Sequence, residues 1–248
     1  MRIVNLIAFV VTSFIGHFVL SQIANATVSL NDGGVTDLQV TARDTNISFV
    51  GVVEHLFPAS LPYNATHTAI QGITNSQAEY DLNQDGFQIV SSGSRAGLLD
   101  SGANVQPTIF FSVSVDTPYA LTGSLSTVDP SAKYASLGTT LNDIDTLAVL
   151  FHSVQESFGV MDKVFVLGGT TGNYNNELSG SPTGMLAAGH RYRLFYGTSI
   201  YAANSGSPAS FTGMFQLAFV PEPSSVALLG MGGLALLGCA IRRRRHSR

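Results

Sequence analysis

A chain of 248 residues has room for one domain or two small ones, and its charged content of 11% lies far below the roughly 25% usual in soluble domains. The net charge of −4 hides an asymmetry: Thr27 to Phe219 carries 15 acids against 6 bases, whereas residues 242–248 carry five arginines and no acid. An acidic body argues against nucleic acid, which needs clustered cations to displace its counterions, and the one cysteine, Cys239, lies in an apolar tail, so the body has neither disulfide nor thiol chemistry.

The N-terminus reads Met1-Arg2, then an apolar run from Ile3 to Leu20, then Ala24-Asn25-Ala26. A charged start, a greasy centre and small residues at −3 and −1 make a secretory signal peptide, with cleavage expected between Ala26 and Thr27. Signal peptidase and the Sec translocon are the partners this implies, and export is the expected route.

From Thr27 onward the apolar period is two rather than 3.6. Strands are expected over Asn46–Val53, Gln77–Leu82, Gly86–Ser91 and Thr108–Val115, with Phe111, Val113 and Val115 on one face. Tyr119–Leu125 follows Pro118 and reads as a hairpin partner of the strand before it. Leu147–Phe151, Val164–Leu167, His190–Tyr201 and Phe211–Phe219 complete the set, with Tyr192, Leu194 and Tyr196 alternating against Arg191, Arg193 and Phe195. About ten short strands between Asn, Asp, Gly and Ser breaks predict a mostly β body, an antiparallel β-sandwich or jelly roll over 27–219.

Within the body, Asp81-Leu82-Asn83-Gln84-Asp85-Gly86 matches the opening of a calcium loop, with oxygen ligands on Asp81, Asn83 and Asp85 and a turn glycine at Gly86. Position 12 is Ser92 where a bidentate Glu is needed, and no helix pattern flanks it. A tight Asp/Asn/Gly turn between strands is therefore the preferred reading, with calcium as the alternative. Asn142, Asp143 and Asp145 form a smaller acidic group. His55, His67, His152 and His190 never recur at metal-ligand spacing.

Hydrolase signatures are missing: Gly93-Ser94-Arg95-Ala96-Gly97 places serine one position early for a nucleophile elbow. No enzyme is expected. Tyr174, Tyr196 and Tyr201 lie in or near expected loops, where ring faces suit stacking on sugars; the competing reading makes them ordinary strand residues.

The C-terminus closes with Val220-Pro221-Glu222-Pro223-Ser224-Ser225, the uncharged run Val226 to Ile241, and Arg242-Arg243-Arg244-Arg245. Two prolines flanking Glu222 forbid helix and sheet there, leaving an extended, accessible segment. Ser224 and Ser225 suit a helix cap. A helix from Ser224 to Ile241 would reach about 27 Å, near the roughly 30 Å of a hydrocarbon core. Arg242, Arg243, Arg244 and Arg245 then hold the end in the cytoplasm by the positive-inside rule. The expected organisation is a signal peptide at 1–26, the β body at 27–219, a processing segment at 220–225, a transmembrane helix at 226–241 and a basic tail at 242–248.

Pro221-Glu222-Pro223, a Gly/Ala/Leu-rich helix and a terminal arginine cluster, in that order, resemble the PEP-CTERM sorting signal. That resemblance implies recognition at Pro221, Glu222 and Pro223 by an exosortase, an integral-membrane cysteine protease of polysaccharide-making Gram-negative bacteria. It further implies an inner-membrane intermediate and a final place at the cell surface or in extracellular polysaccharide, as a structural or adhesive protein. A carbohydrate-binding module, calcium-assisted at Asp81–Gly86, is the alternative reading of the body.

Overall fold

A computed structural model describes residues 26–44, 51–95, 101–128, 132–160, 163–169, 174–202 and 209–220. Among these, residues Ala26–Val220 form one compact unit. The described chain is built of strands: β1 (Val28–Leu30), β2 (Leu38–Asp44), β3 (Val52–Leu56), β4 (Tyr63–Gln71), β5 (Thr74–Asn83), β6 (Gly86–Arg95), β7 (Ser101–Val105) and β8 (Thr108–Val113). They are followed by β9 (Thr117–Val128), β10 (Ala132–Asp143), β11 (Val149–Val160), β12 (Lys163–Val166), β13 (Tyr174–Gly180), β14 (Thr183–Leu186), β15 (Arg191–Ala202) and β16 (Ala209–Phe219).

The strands form two antiparallel sheets. The first runs β13-β11-β10-β15-β7-β2-β3, with β8 joined to β15 and β1 joined to β8; the second runs β12-β9-β16-β6-β5-β4, with β14 joined to β9. Period-two alternation drives this arrangement, because every second side chain must leave water. In β16, Phe211, Phe215, Leu217 and Phe219 are buried while Thr212, Met214 and Gln216 face out. In β15, Tyr192, Leu194, Tyr196 and Ile200 point inward.

The inward faces meet in one apolar core. Phe87 and Phe219 of the second sheet pack edge-on at 5.4 Å, and Phe87 meets Phe111 of the first sheet at 5.2 Å and 89°. Full burial of each such ring contributes about 1.5–3 kcal/mol, and edge-to-face contact adds to it. Tyr196 of β15 reaches across to Ser91 of β6, their hydroxyls 3.2 Å apart. Burial raises the Tyr196 phenol to about 12.

Of the expected strand Asn46–Val53, residues 46–50 lie outside the described residues. The other expected strands are present, but Leu147, expected to open one, sits in the turn before β11 with φ 61°, and two further differences stand out. Thr108–Val113 and Thr117–Val128 are not a hairpin: β8 pairs β1 and β15, whereas β9 pairs β16, β12 and β14. The chain crosses between sheets at Ser114–Asp116, so each strand buries its apolar side against the other sheet rather than beside its neighbour. The β8 ladder also ends at Val113, leaving Val115 half-buried outside the strand.

Candidate functional site

Antiparallel succession sorts the strand ends into two groups. Val28, Asn83, Gly86, Val113, Thr117, Asp143, Val149, Arg191 and Phe219 gather at one end of the two-sheet body; Asp44, Thr74, Arg95, Ser101, Val128, Val160, Ala202 and Ala209 gather at the other. The first end holds both points where the body's chain begins and stops.

The turn between β5 and β6 organises that end. Gln84 and Asp85 span a two-residue hairpin, closed by the Asn83↔Gly86 pair, and Gly86 has φ 150°. A Cβ at Gly86 would lie 2.2 Å from the Leu217 carbonyl oxygen, so only glycine allows β16 this close. The Gln84 side-chain amide clamps β1, its Oε1 accepting from Val28 N at 2.6 Å and its Nε2 donating to Val28 O at 3.0 Å. The neighbouring Asp85 carbonyl accepts from Phe219 N at 2.9 Å. Adjacent residues of one turn thus hold the first and last strands. Thr27 N donates to Ser114 Oγ at 2.8 Å, and Val220 N donates to Pro118 O at 2.9 Å.

Of the sequence-predicted calcium ligands, Asp81 and Asn83 lie on β5 and Asp85 lies in the turn. Asn83 Oδ1 accepts from Asp85 N at 2.8 Å, and Asn83 Nδ2 donates to Asp81 Oδ1 at 3.3 Å. These are the self-contained bonds of an Asx turn. Among the described residues, no group of three or more His, Cys, Asp and Glu side chains is placed to hold a metal ion.

The second acidic group is brought to the same end and engaged by a histidine the sequence left unpaired. His190 Nδ1 lies 2.8 Å from Asp143 Oδ2, while Asp143 Oδ1 accepts from Asp145 N at 2.9 Å and Thr146 N at 3.1 Å. Asp145 forms an ion pair with Arg191 and accepts from its backbone N–H at 2.8 Å. Burial alone would raise the Asp143 carboxyl, but the hydrogen bonds from His190, Thr146 and Asp145 leave it below the usual carboxylate value. The same bond, donated to Asp143, raises His190. Asn142 is half-buried on the opposite face of β10.

The three tyrosines separate. Tyr196 is fully buried in the core, contrary to its expected loop setting, because it shares inward parity with Tyr192 and Leu194. Tyr201 is half-buried on the outward face of the first sheet, opposite Tyr134. Tyr174 begins β13, and its side chain lies outside the described residues.

Ala26 and Thr27 are the first described residues. Ala24, the processing residues Pro221, Glu222 and Pro223, the expected membrane helix and Arg242 to Arg245 lie outside the described residues. No helix of the described residues is long and apolar enough to cross a membrane.

Compared with known proteins, the chain carries the PEP-CTERM protein-sorting motif, matched over residues 219–245. No curated protein matches the chain. Among solved structures, a family 11 carbohydrate-binding module from Clostridium thermocellum, in complex with a β-1,3-1,4-mixed-linked tetrasaccharide, aligns at 11% identity and TM-score 0.23, over 75% of this chain and 98% of that one. The infectious bursal disease virus VP2 subviral particle aligns at 10% identity and TM-score 0.17, over 88% and 73%. Overlaps this shallow carry no argument about function.

Proposed function

We propose, from the sorting motif at the C-terminus, that this is an exported bacterial surface protein whose tail is the substrate of an exosortase-like membrane enzyme. The observation that carries the reading is the coincidence of two boundaries. The body's last strand ends at Phe219, the first residue of the matched motif, and Val220 makes the last described backbone bond. Pro221-Glu222-Pro223 follows directly on the last strand of the compact unit Ala26–Val220, and a segment outside the packed strands is what a protease needs.

In this reading the two-sheet body is a β-sandwich passenger without catalytic residues. The signal peptide leaves after Ala26, the apolar run at 226–241 holds the chain in the inner membrane, and Arg242–Arg245 fix its orientation. Cutting near Pro221–Pro223 passes the body to the cell surface or the extracellular polysaccharide, where it serves a structural or adhesive role.

Intact-mass spectrometry of the native secreted protein tests the processing. A mass beginning at Thr27 and ending near Pro221–Pro223 is expected, and substitution of Glu222 should leave a longer, membrane-held form. An exported species retaining Arg242–Arg248 would overturn the reading.

A further inference from the structure

Two glycines face each other in the middle of the first sheet. Gly138 of β10 is paired with Gly197 of β15 in an unshifted ladder, and neither has a positive φ. Glycine weakens a strand interior; with no turn and no bulge to require it there, close approach of another group is the remaining physical reason. Gly197 is accounted for within the fold, since a Cβ there would meet the Phe195 ring at 3.1 Å. The Cε1–Cζ edge of that ring occupies the space beside it. Gly138 has no such occupant: the atom nearest its would-be Cβ is Val154 Cγ2, at 4.0 Å.

The result is a clearing on the outward face, bounded along β10 by Ser136 and Thr140, about 13 Å apart. Both borders are polar. At one, Tyr134 donates to Glu156 Oε1 at 2.6 Å, and the Ser136 and Ser199 hydroxyls lie 2.7 Å apart. At the other, Thr140 Oγ1 lies 2.9 Å from His152 Nδ1, whose ring meets Glu177 at 3.1 Å through Nε2. Rings flank it as well: Phe195, its ring against Gly197 beside Gly138, and, at the Ser136 border, Tyr134 packed on Phe158 at 5.1 Å, with Phe158 48% exposed.

We propose that the clearing over Gly138 binds a neutral saccharide unit of a polysaccharide. Ring faces suit the C–H faces of a pyranose, and a few convergent hydroxyl and carboxylate groups suit its hydroxyls. A peptide has no strand to extend here, because β10 is paired on both sides. The exposed Glu177 disfavours an acidic sugar, and among the described side chains the nearest lysine or arginine by register is Arg193, one outward position beyond Phe195. The inference takes the surface reading above as its setting, but its assay uses purified protein, so failure of binding and failure of sorting are separately visible.

Affinity electrophoresis decides it, using the full chain in a sugar-free zwitterionic detergent. The gels contain xylan, dextran, galactomannan or mixed-linkage β-glucan, with alginate as the acidic arm. Retention on at least one neutral polymer is expected, weakened at least tenfold by Gly138→Val and by Phe195→Ala. Valine at 138 fills open space and favours the strand, so that variant should melt no lower than the parent and isolates the steric effect. No retention on any neutral polymer overturns the proposal. Retention on alginate alone, or retention indifferent to Gly138→Val in a folded protein, overturns it equally.

Discussion

Tyr196 and Gly213 show how tightly single residues are set. A Cβ on Gly213 would fall 2.6 Å from Ser91 Oγ and 2.9 Å from the Tyr196 hydroxyl, so the glycine makes room for the bond that links the sheets. Thr198 Oγ1 also donates to Ser91 at 3.3 Å. Tyr196→Phe should therefore lower unfolding free energy by about 1–2 kcal/mol, the cost of a lost buried hydrogen bond. Gly213→Val should cost more, about 1–3 kcal/mol from overpacking plus the broken bond. Urea denaturation of the two variants checks both values. His190 supplies a pH-dependent term. Its folded pKa is raised above the ordinary 6.5 by Asp143, so its contribution is fully present below that value and is lost as pH rises through the folded one. Asp143 is shifted the other way, so its contribution is present above the ordinary 3.8 and is lost as pH falls through the lowered folded value. The stability advantage of the parent over His190→Gln should accordingly be present at about pH 6 and shrink by about pH 9. An advantage that grows with pH would contradict the pairing.

At the level of elements, the β5–β6 turn does more than reverse the chain. Gln84→Ala removes both bonds to Val28 and should cost about 1–2 kcal/mol, with faster amide exchange confined to Val28–Leu30. Because Asn83 already spends its side chain on Asp85 and Asp81, a calcium chelator should leave the melting temperature unmoved; a clear drop would revive the cation reading. The turn itself was legible from its Asp, Asn and Gly residues. Its hold on Val28, 56 residues away, was not, since no local pattern encodes that distance. Strand β10 was missed for a different reason. Its inward Ala135, Leu137, Thr139 and Leu141 alternate with Ser136, Gly138 and Thr140, and small residues on both faces blur the polar–apolar contrast. That strand carries Gly138, so the clearing was invisible with it. Tyr196 is the opposite case: the parity of Tyr192 and Leu194 already places it inward, against the loop setting also expected for it.

Across the whole molecule, the beginning and the close of the body share one end, while Tyr134, Phe158 and Tyr201 sit toward the other. A protein cut after Val220 keeps all of β16, so it should melt at the same temperature as the tail-bearing form in a thermal scan. A lower value for the cut form would mean that residues after Val220 pack on the body. The unequal grip on the two terminal strands has a mechanical side. Strand β1 is held by three register pairs and the Gln84 clamp, whereas β16 has ten pairs with β6 and ten with β9. Tension entering at Phe219 is shared by two neighbouring ladders, so a tether there can bear a load. Drag applied at the N-terminus would instead peel β1 away first and leave the rest standing.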